Sequence, residues 1–417
     1  MSLLNRLRRL SRALPVSPAV IHRLRRAAGL GFRLTAWLKH GRTRRSAPPR
    51  PGPVCVVGFH GSVLGIGEAA RSLSDALREA GAEVFDWDIS ARFGHDVRLG
   101  GRWSAEPPPE AAAMIIVLNP RELIQLVAMA GAAPFQGRRC IGGWAWELER
   151  APPSWTPGFR YVDEVWAPSR FVADAVADAA PPGFRVRVLP HPLRPSGVRP
   201  DRAGFGLPDD KTLVLTVFDA RSGFARKNPI AAVRAFRQAN ADGRAVMLCK
   251  AAGAESAPEQ MQALVREIGD AGDVRLMTDW LTAERMAALL ASADIVLSLH
   301  RSEGFGLLPA QGMAAGKAMV ATAWSANLDF MTSDNGVLVD YTLVPVRDPQ
   351  GLYDGGRWAE PKVDDAARKL AALFADADLR DRLGARAAED ASALLDPARL
   401  GKRMLDWLSS EVHEAGG

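Results

Sequence analysis

Short apolar runs alternate with helical patterns along most of this 417-residue chain, and this alternation constrains the fold more than any other feature. A first series of strand-like runs lies at residues 54–59, 83–87, 113–118, 139–142 and 164–167. Helical patterns such as 68–80 and 169–179 separate them. Alternation of this kind predicts an α/β fold with a parallel sheet covered by helices on both faces.

A second series of the same kind follows in the later half of the chain. Its strand-like runs lie at 213–218, 245–249, 274–277, 295–299, 319–321 and 336–339, with helical patterns at 229–239, 257–268, 282–292 and 308–315. The two series predict two Rossmann-like domains, at 51–195 and 196–390, and a C-terminal helix at 391–417 that packs back on the first domain. Because parallel sheets bind ligands at the carboxyl ends of their strands, the informative residues should directly follow strands.

Charge is distributed unevenly along the sequence. Residues 1–50 contain thirteen Lys and Arg and no Asp or Glu, so the net charge of +6 conceals an acidic body. Leucines interleaved with these arginines predict a basic amphipathic arm, broken near Pro15 and Pro18. Such an arm suits binding to an anionic membrane surface. The simpler alternative is a solvated or domain-packing extension. Nucleic-acid binding is disfavoured. We expect a cytoplasmic protein at the inner face of the cell membrane.

The three cysteines lie far apart without a CxxC spacing, which argues against a disulfide framework or a structural zinc site. No apolar run reaches eighteen residues, so no membrane-spanning helix is expected. The pattern Asp86-Trp-Asp88 superficially matches a metal-binding motif. It is short and common, and solvated acids at a strand end explain it better, so we predict no metal site.

A glycine-rich run follows the first strand. Gly61, Gly65 and Gly67 would let the backbone approach a ligand, and the helix that starts there offers N–H groups to an anion. Residues 65–70 also resemble a dinucleotide fingerprint, but six residues separate them from Gly58, so NAD binding is disfavoured. A purely structural turn remains an alternative. His60 is a candidate contact, although a lone histidine after a strand is more often structural.

Two further runs follow strands on what should be the cleft side. Trp144, Trp146 and Glu147 suit sugar recognition, with half-buried aromatic packing as an equal alternative. In the second half, Arg226 and Lys227 stand where a helix begins, which suits a diphosphate.

The richest run is residues 298–313. Glu303 lies in the loop before a helix, Gly304 and Gly306 free the backbone, and Gln311 follows about one turn into the helix. A glycine-rich strand-to-helix turn is the structural alternative.

Residues 300–313 resemble the signature of retaining glycosyltransferases of family 4, which have the GT-B fold. Residues 165–172 and 188–192 resemble the family's segments at the end of the first domain. Residues 218–229, 325–330 and 358–361 resemble a subgroup of mannosyl-type transferases that make bacterial surface polysaccharides. The resemblance covers roughly 54–365.

The resemblance implies roles for individual positions in the second domain. Lys227 matches the lysine that contacts the donor diphosphate, and Ser222 stands where the family has an arginine, so that Arg221 or Arg226 would substitute. Glu303 matches the first glutamate of the family's paired pattern, which contacts the donor sugar. Gln311 replaces the second glutamate, a ribose ligand, and a neutral amide would accept hydrogen bonds more weakly by ~1 kcal/mol. Backbone N–H groups would hold the sugar and phosphate at Gly304, Phe305, Gly306 and Leu307.

The resemblance also implies a reaction. A hexose would move from a GDP- or UDP-linked donor to a lipid-linked or polysaccharide acceptor, with retention of configuration and with neither metal nor cofactor. The acceptor would enter from the first domain. We expect the cleft to be lined by His60, Gly61, Gly65, Gly67, Trp146, Glu147 and Asn327. One rival is a noncatalytic sugar-nucleotide binder or complex subunit. The other is an NAD-dependent oxidoreductase, which leaves the second half unexplained.

Overall fold

The computed structural model describes residues 29–38, 48–95, 98–353 and 355–410. In the first half of the chain, six parallel strands form one sheet in the order β2-β1-β3-β4-β5-β6. These strands are β1 (Val54–Gly58), β2 (Val84–Asp88), β3 (Ala113–Ile116), β4 (Arg139–Gly143), β5 (Glu164–Ala167) and β6 (Arg185–Val188). The helices that join them are α1 (Gly65–Glu79), α2 (Pro120–Ala130) and α3 (Arg170–Ala179).

The second half repeats this plan with a parallel sheet in the order β12-β11-β10-β7-β8-β9. Its strands are β7 (Thr212–Asp219), β8 (Ala245–Ala252), β9 (Val274–Met277), β10 (Ile295–Ser298), β11 (Ala318–Thr322) and β12 (Val337–Val339). Its helices are α4 (Phe224–Lys227), α5 (Pro229–Ala239), α6 (Pro258–Ile268), α7 (Ala283–Ser292), α8 (Leu307–Ala314), α9 (Val363–Ala375) and α10 (Ala377–Leu395). An antiparallel hairpin follows this sheet, formed by β13 (Tyr341–Pro345) and β14 (Arg357–Pro361).

Short 3-10 segments complete both halves, at Ala91–Phe93, Ala133–Phe135, Pro153–Tyr161, Ala203–Phe205, Ala220–Ser222, Ala254–Ser256 and Ala326–Asp329. Apolar side chains bury both faces of each sheet, which explains why most strands consist of continuous apolar runs. The predicted pair of helix-covered parallel sheets is therefore confirmed.

Strand β8 runs three residues further than predicted, because its charged residue Lys250 stays inside the sheet. The side chain is buried and its Nζ donates to the carbonyl oxygen of Ala251 at 3.0 Å. A lysine normally marks the end of a buried run, so the apolar pattern stops short of the true strand end.

The order of the second sheet places two loops side by side. Strand β7 pairs with β8 on one side and with β10 on the other, so the chain reverses its direction of travel across the sheet at this point. Ligands of open parallel sheets bind at such a switch point, beyond the carboxyl ends of the strands. The loops after β7 and β10 carry Lys227 and Glu303, respectively.

Helix α11 (Pro397–Ser409) leaves the second half and packs against α1 in the first. Leu400 and Met404 are fully buried there. The two helices approach closely at Gly401, where a Cβ atom would overlap the carbonyl oxygen of Ala76. Arg139 at the start of β4 fixes the end of α11, since its Nη1 donates to the carbonyl oxygen of Leu408 at 3.0 Å.

Of the basic arm, the structure describes a helical stretch at 29–38 and residues from 48 onward. Ala36 is fully buried and Phe32 packs on the first core, whereas Leu30, Leu34 and Leu38 are exposed. The predicted helix before residue 29 and the end of the predicted C-terminal segment, 411–417, lie outside the described residues. Within the described part of the chain, no helix is both long and apolar enough to cross a membrane.

Candidate active site

Two cations and a carboxylate meet at the switch point of the second sheet. Glu303 Oε1 lies 2.5 Å from Lys227 Nζ, and Glu303 Oε2 lies 3.0 Å from Arg226 Nη1. The side chains of Glu303 and Arg226 are only 8% and 3% exposed, whereas that of Lys227 is 20% exposed. A charged trio held this far from solvent is an arrangement that binds anions and polar ligands strongly.

The electrostatics of the trio keep Glu303 ionised. Burial raises the pKa of Glu303, but the positive charges of Arg226 and Lys227 outweigh burial and hold that pKa at about 2. Burial lowers the pKa of Lys227, and the Glu303 carboxylate opposes this shift only in part. Burial also acts to lower the pKa of Arg226, yet its acidic neighbours, Glu303 first, raise it.

Local backbone geometry places both cations. The one-turn helix α4 ends at Asn228, which has a φ of 52°, and Pro229 then starts α5. This break turns the chain so that Arg226 and Lys227 both face the loop after β10. Arg226 is fixed further by hydrogen bonds from Nη1 to the Ser302 carbonyl and from Nη2 to the Ser222 carbonyl, both at 2.8 Å.

Ser222 and the two arginines expected to substitute for the family's arginine lie in the loop and the short helix after β7. Ser222 donates from Oγ to the carbonyl oxygen of Asp219 at 2.9 Å and so shapes the loop. Arg221 pairs with the Asp219 carboxylate and donates to the carbonyl oxygen of Val63 in the first domain at 3.0 Å. Of the two arginines expected to substitute, Arg226 contacts Glu303, with Nη1 lying 3.0 Å from Oε2.

The loop from Glu303 to Leu307 leads into α8. Gly306 caps this helix with a φ of 91°, a conformation that favours glycine. Gly304 packs against the first domain, since a Cβ atom there would lie 2.8 Å from the Trp146 carbonyl oxygen. Phe305 turns its ring into the core against His191 and Phe330, so only its backbone faces the cleft.

Asn327 supports the site through a contact with His300. It is fully buried, and its Oδ1 lies 3.1 Å from His300 Nε2. Its Nδ2 donates to the carbonyl oxygen of Thr322 at 3.0 Å, and the other His300 nitrogen lies 2.9 Å from Ser298 Oγ. The expected placement of Asn327 in the cleft is therefore corrected, because its amide is committed to orienting His300 beneath Glu303.

Aromatic residues from both domains line the cleft near Arg226. The ring of Trp146 lies 5.5 Å from that of Tyr353, which belongs to the loop of the β13–β14 hairpin. Glu147 Oε1 lies 3.9 Å from Arg226 Nη2. Trp144 is different, because it is fully buried against Trp155 and Phe159, so the packing alternative applies to this residue.

Tyr353 is a site residue that the sequence did not indicate. Burial raises its pKa, and its hydroxyl is hydrogen-bonded to Glu147. The Arg226 guanidinium lies 6.0 Å from the centre of its ring. Its segment is rich in Gly and Asp and has no strand-like period, so the hairpin itself was not predicted.

The glycine-rich run after β1 is held mainly by its own packing. His60 is buried, and its Nε2 lies 3.0 Å from the Val56 carbonyl oxygen, which corrects its expected contact with the acceptor. Burial lowers the pKa of His60. A Cβ atom on Gly67 would lie 2.5 Å from the Phe59 carbonyl oxygen, so this glycine is required by the turn. The backbone of Gly61 is likewise buried and accepts from Arg98 N at 2.9 Å.

Gly65 remains exposed at the cleft, where a Cβ atom would lie 3.3 Å from Leu307 Cδ1 across the domains.

The two acids of β2 form hydrogen bonds within the first domain. Asp86 Oδ1 accepts from Ser74 Oγ at 2.6 Å, and Asp88 Oδ1 accepts from Ser90 Oγ at 2.6 Å. Among the described residues, no cluster of three or more His, Cys, Asp or Glu could hold a metal ion.

Gln311 faces the first domain from α8. Its Nε2 donates to Glu68 Oε1 at 2.6 Å. The helix starts and the loops of both domains therefore converge on one cleft, which contains a buried trio of charges, backbone N–H groups and aromatic walls.

Residues 216–357 match the family described as glycosyl transferases group 1. This stretch includes Arg226, Lys227 and Glu303 at the switch point. Most of the second domain is therefore similar to this family. The family's signature thus coincides with the charged trio.

A curated relative matches part of the chain as well. Over 205 residues the chain is 33% identical to a D-inositol 3-phosphate glycosyltransferase from Xylanimonas cellulosilytica. The alignment covers 47% of this chain and 44% of that protein, so the chain spans less than half the length of the curated relative it matches.

Solved structures extend the likeness to both domains. HepE from Anabaena, solved with UDP and glucose, superimposes with a TM-score of 0.61 at 14% identity, over 86% of this chain and 99% of that one. Sucrose-phosphate synthase from Thermosynechococcus elongatus gives a TM-score of 0.63 at 17% identity, over 86% and 98%. These similarities confirm the predicted GT-B fold.

Proposed function

We propose that this chain is a metal-independent, retaining glycosyltransferase that moves a hexose from a nucleoside diphosphate sugar to a lipid-linked or polysaccharide acceptor. The observation that carries the proposal is the Arg226–Glu303–Lys227 trio at the switch point of a group 1 glycosyltransferase domain. The mannosyl-type subgroup and a role in surface glycan synthesis follow from the sequence resemblance and belong to the same proposal.

Within this proposal the three residues of the trio have different roles. Lys227 contacts the donor diphosphate, because it is the more exposed cation. Glu303 contacts the donor sugar, and Arg226 keeps that carboxylate in place. The backbone N–H groups from Gly304 to Leu307 and the start of α8 add partial positive charge where the phosphates lie.

The reaction breaks the bond between the anomeric carbon and the diphosphate oxygen and forms a bond from that carbon to an acceptor oxygen on the same face. Negative charge grows on the departing diphosphate, and Lys227 and the α8 N-terminus stabilise it without reorganising. The acceptor proton passes to a phosphate oxygen of the leaving group. Domain contacts such as Gly304 against Trp146 exclude water and limit donor hydrolysis.

A donor panel tests this function. Thermal unfolding of the full chain is measured with UDP-, GDP-, ADP- and dTDP-sugars, and UDP or GDP donors are expected to bind. A ligand at a hundred times its Kd adds about 3 kcal/mol of apparent stability. The Lys227→Met variant should lose the shift, whereas Lys402→Met, an exposed lysine on α11, should retain it.

Retained binding in Lys227→Met contradicts the diphosphate assignment. Product analysis by NMR on a lipid-linked acceptor tests retention directly, because an inverted anomeric centre contradicts the mechanism. One observation favours a second candidate, a noncatalytic sugar-nucleotide binder, namely the amide of Gln311 where the family has a carboxylate. Donor binding without turnover on any acceptor would support that candidate.

The acceptor side of the proposal includes a membrane surface. The helical stretch 29–38 exposes Leu30, Leu34 and Leu38 along one stripe, next to a segment with thirteen basic residues in 1–50. An apolar stripe beside excess positive charge suits an anionic leaflet. In vesicle sedimentation, the chain should bind phosphatidylserine-containing vesicles over neutral ones. Leu34→Asp should weaken vesicle binding, whereas Leu394→Asp, at an exposed leucine on α10, should not. Equal binding by the two variants would contradict the proposed membrane-binding surface.

A further inference from the structure

The most direct polar side-chain contact between α1 and α8 lies where the chain departs from its family's pattern. Gln311 Nε2 donates to Glu68 Oε1 at 2.6 Å. Glu68 lies in the first turn of α1, in the first domain, and Gln311 lies in α8, in the second. Both residues are half-buried, and the pair joins the two domains.

The pair lies one step beyond the proposed diphosphate position. Gln311 follows Leu307 by four residues in α8, which places it about 6 Å further along the helix axis. In a nucleoside diphosphate, the group next to the phosphates is a ribose, which presents two adjacent hydroxyls. A polar pair one helical turn from the phosphates is therefore positioned to meet that diol.

The chemistry of the pair fits two hydroxyl donors. An ionised carboxylate only accepts hydrogen bonds, so the Gln311 amide must turn its nitrogen toward Glu68. This orientation leaves the amide oxygen of Gln311 and the second carboxylate oxygen of Glu68 as acceptors. A hydrogen bond to a charged acceptor is stronger than one to a neutral amide, so Glu68 supplies what Gln311 lacks.

We propose that Glu68 is a donor-binding residue supplied by the first domain, and that Glu68 and Gln311 together accept hydrogen bonds from the two ribose hydroxyls. This inference rests on the proposed function, because it requires a nucleoside diphosphate at the trio. It gives the first domain a part in donor binding in addition to acceptor binding. The ribose site is complete only when the two domains are closed.

The test compares a ribonucleoside diphosphate with its 2′-deoxy counterpart. Calorimetric Kd values are measured for UDP, GDP and their 2′-deoxy forms with the unmodified chain, Glu68→Gln and Asp75→Asn. Asp75 is an exposed carboxylate on the same helix and serves as the matched control. We expect Glu68→Gln to weaken UDP or GDP binding about tenfold and to lose most of the preference over the deoxy form. Asp75→Asn should change neither value.

The exchanged pair provides a second variant. Gln311→Glu alone brings two carboxylates together and should weaken nucleotide binding, whereas Glu68→Gln combined with Gln311→Glu restores one carboxylate and should recover both the affinity and the ribose preference. If Glu68→Gln keeps the preference for the ribonucleotide over its 2′-deoxy form, the inference is overturned. Equal weakening of ribonucleotide and deoxynucleotide binding also overturns it, since a merely structural contact would give that result. If the unmodified chain binds no nucleoside diphosphate, the proposed function fails, and this inference fails with it.

Discussion

Replacing Glu303 by glutamine tests the electrostatic account of the site. The pKa of Glu303 is about 2, against a usual 4.5, because Arg226 and Lys227 outweigh its burial. Each pKa unit corresponds to about 1.4 kcal/mol, so ionisation of Glu303 contributes about 3 kcal/mol to stability at neutral pH. The amide keeps the shape but loses the charge, and it leaves Arg226 and Lys227 without their nearest carboxylate.

The sign of the pH dependence follows from the lowered pKa. The contribution is fully present above the unfolded-state pKa of about 4.5 and is lost as the pH falls toward 2. Urea unfolding, followed by circular dichroism, should therefore show Glu303→Gln less stable by about 3 kcal/mol at pH 7. At pH 3.5 the gap should shrink by about 1 kcal/mol, because the unfolded carboxylate already takes up a proton there.

Glu360→Gln is the matched control, because Glu360 pairs with Arg301 at 2.6 Å but is 39% exposed. Such a pair should contribute less than about 1 kcal/mol. Equal stability of Glu303→Gln and the unmodified chain at pH 7 would refute the reasoning, and so would a gap that stays constant between the two pH values.

Three further predictions concern the framework. Gly401→Ala should lower the free energy of unfolding by about 1–3 kcal/mol, because a Cβ there overlaps the backbone of α1, whereas Gly100→Ala meets no neighbour and should change little. Arg139→Leu should lower the melting temperature markedly, since it removes a guanidinium group 3.4 Å from the fully buried Glu164, and a variant as stable as the unmodified chain would contradict this. All three cysteines are buried, and burial raises the pKa of Cys249 to about 12, so a thiol reagent at pH 8 should react only after unfolding.

Much of the fold is legible in the sequence because the strands of both sheets are buried on two faces. Runs such as Val54–Gly58 and Ile295–Ser298 are apolar except for their last residue, and proline or glycine marks the neighbouring helix ends. The hairpin Tyr341–Pro361 was missed because it lies outside the parallel sheets: the residues of β13 are half-buried or exposed, and β14 starts at the exposed Arg357 and has the half-buried Glu360 between buried residues. Strand β6 was not among the predicted apolar runs, because arginine alternates with valine in it and all four of its residues are half-buried.

The site was predictable only where residue type alone determines the role. Lys227 and Glu303 are charged residues in the segments that follow strands, so the sequence identifies them as candidates. The structure places their side chains in contact. His60 and Asn327 have polar side chains that bond to nearby groups, and a sequence cannot show which way such side chains turn. Glu68 was missed because its contact depends on how the two domains meet.

The two adjacent cations have different tasks because their donors are committed differently. Both terminal nitrogens of Arg226 already bond to backbone carbonyls of Ser302 and Ser222, so its guanidinium is held in place whether or not a ligand is present. Lys227 is more exposed and has a flexible four-carbon stem. Under the proposed function, this freedom lets Lys227 leave Glu303 for a phosphate oxygen of the donor. Arg226 would then keep Glu303 neutralised and ionised while the diphosphate adds negative charge, so the proposed function uses both cations.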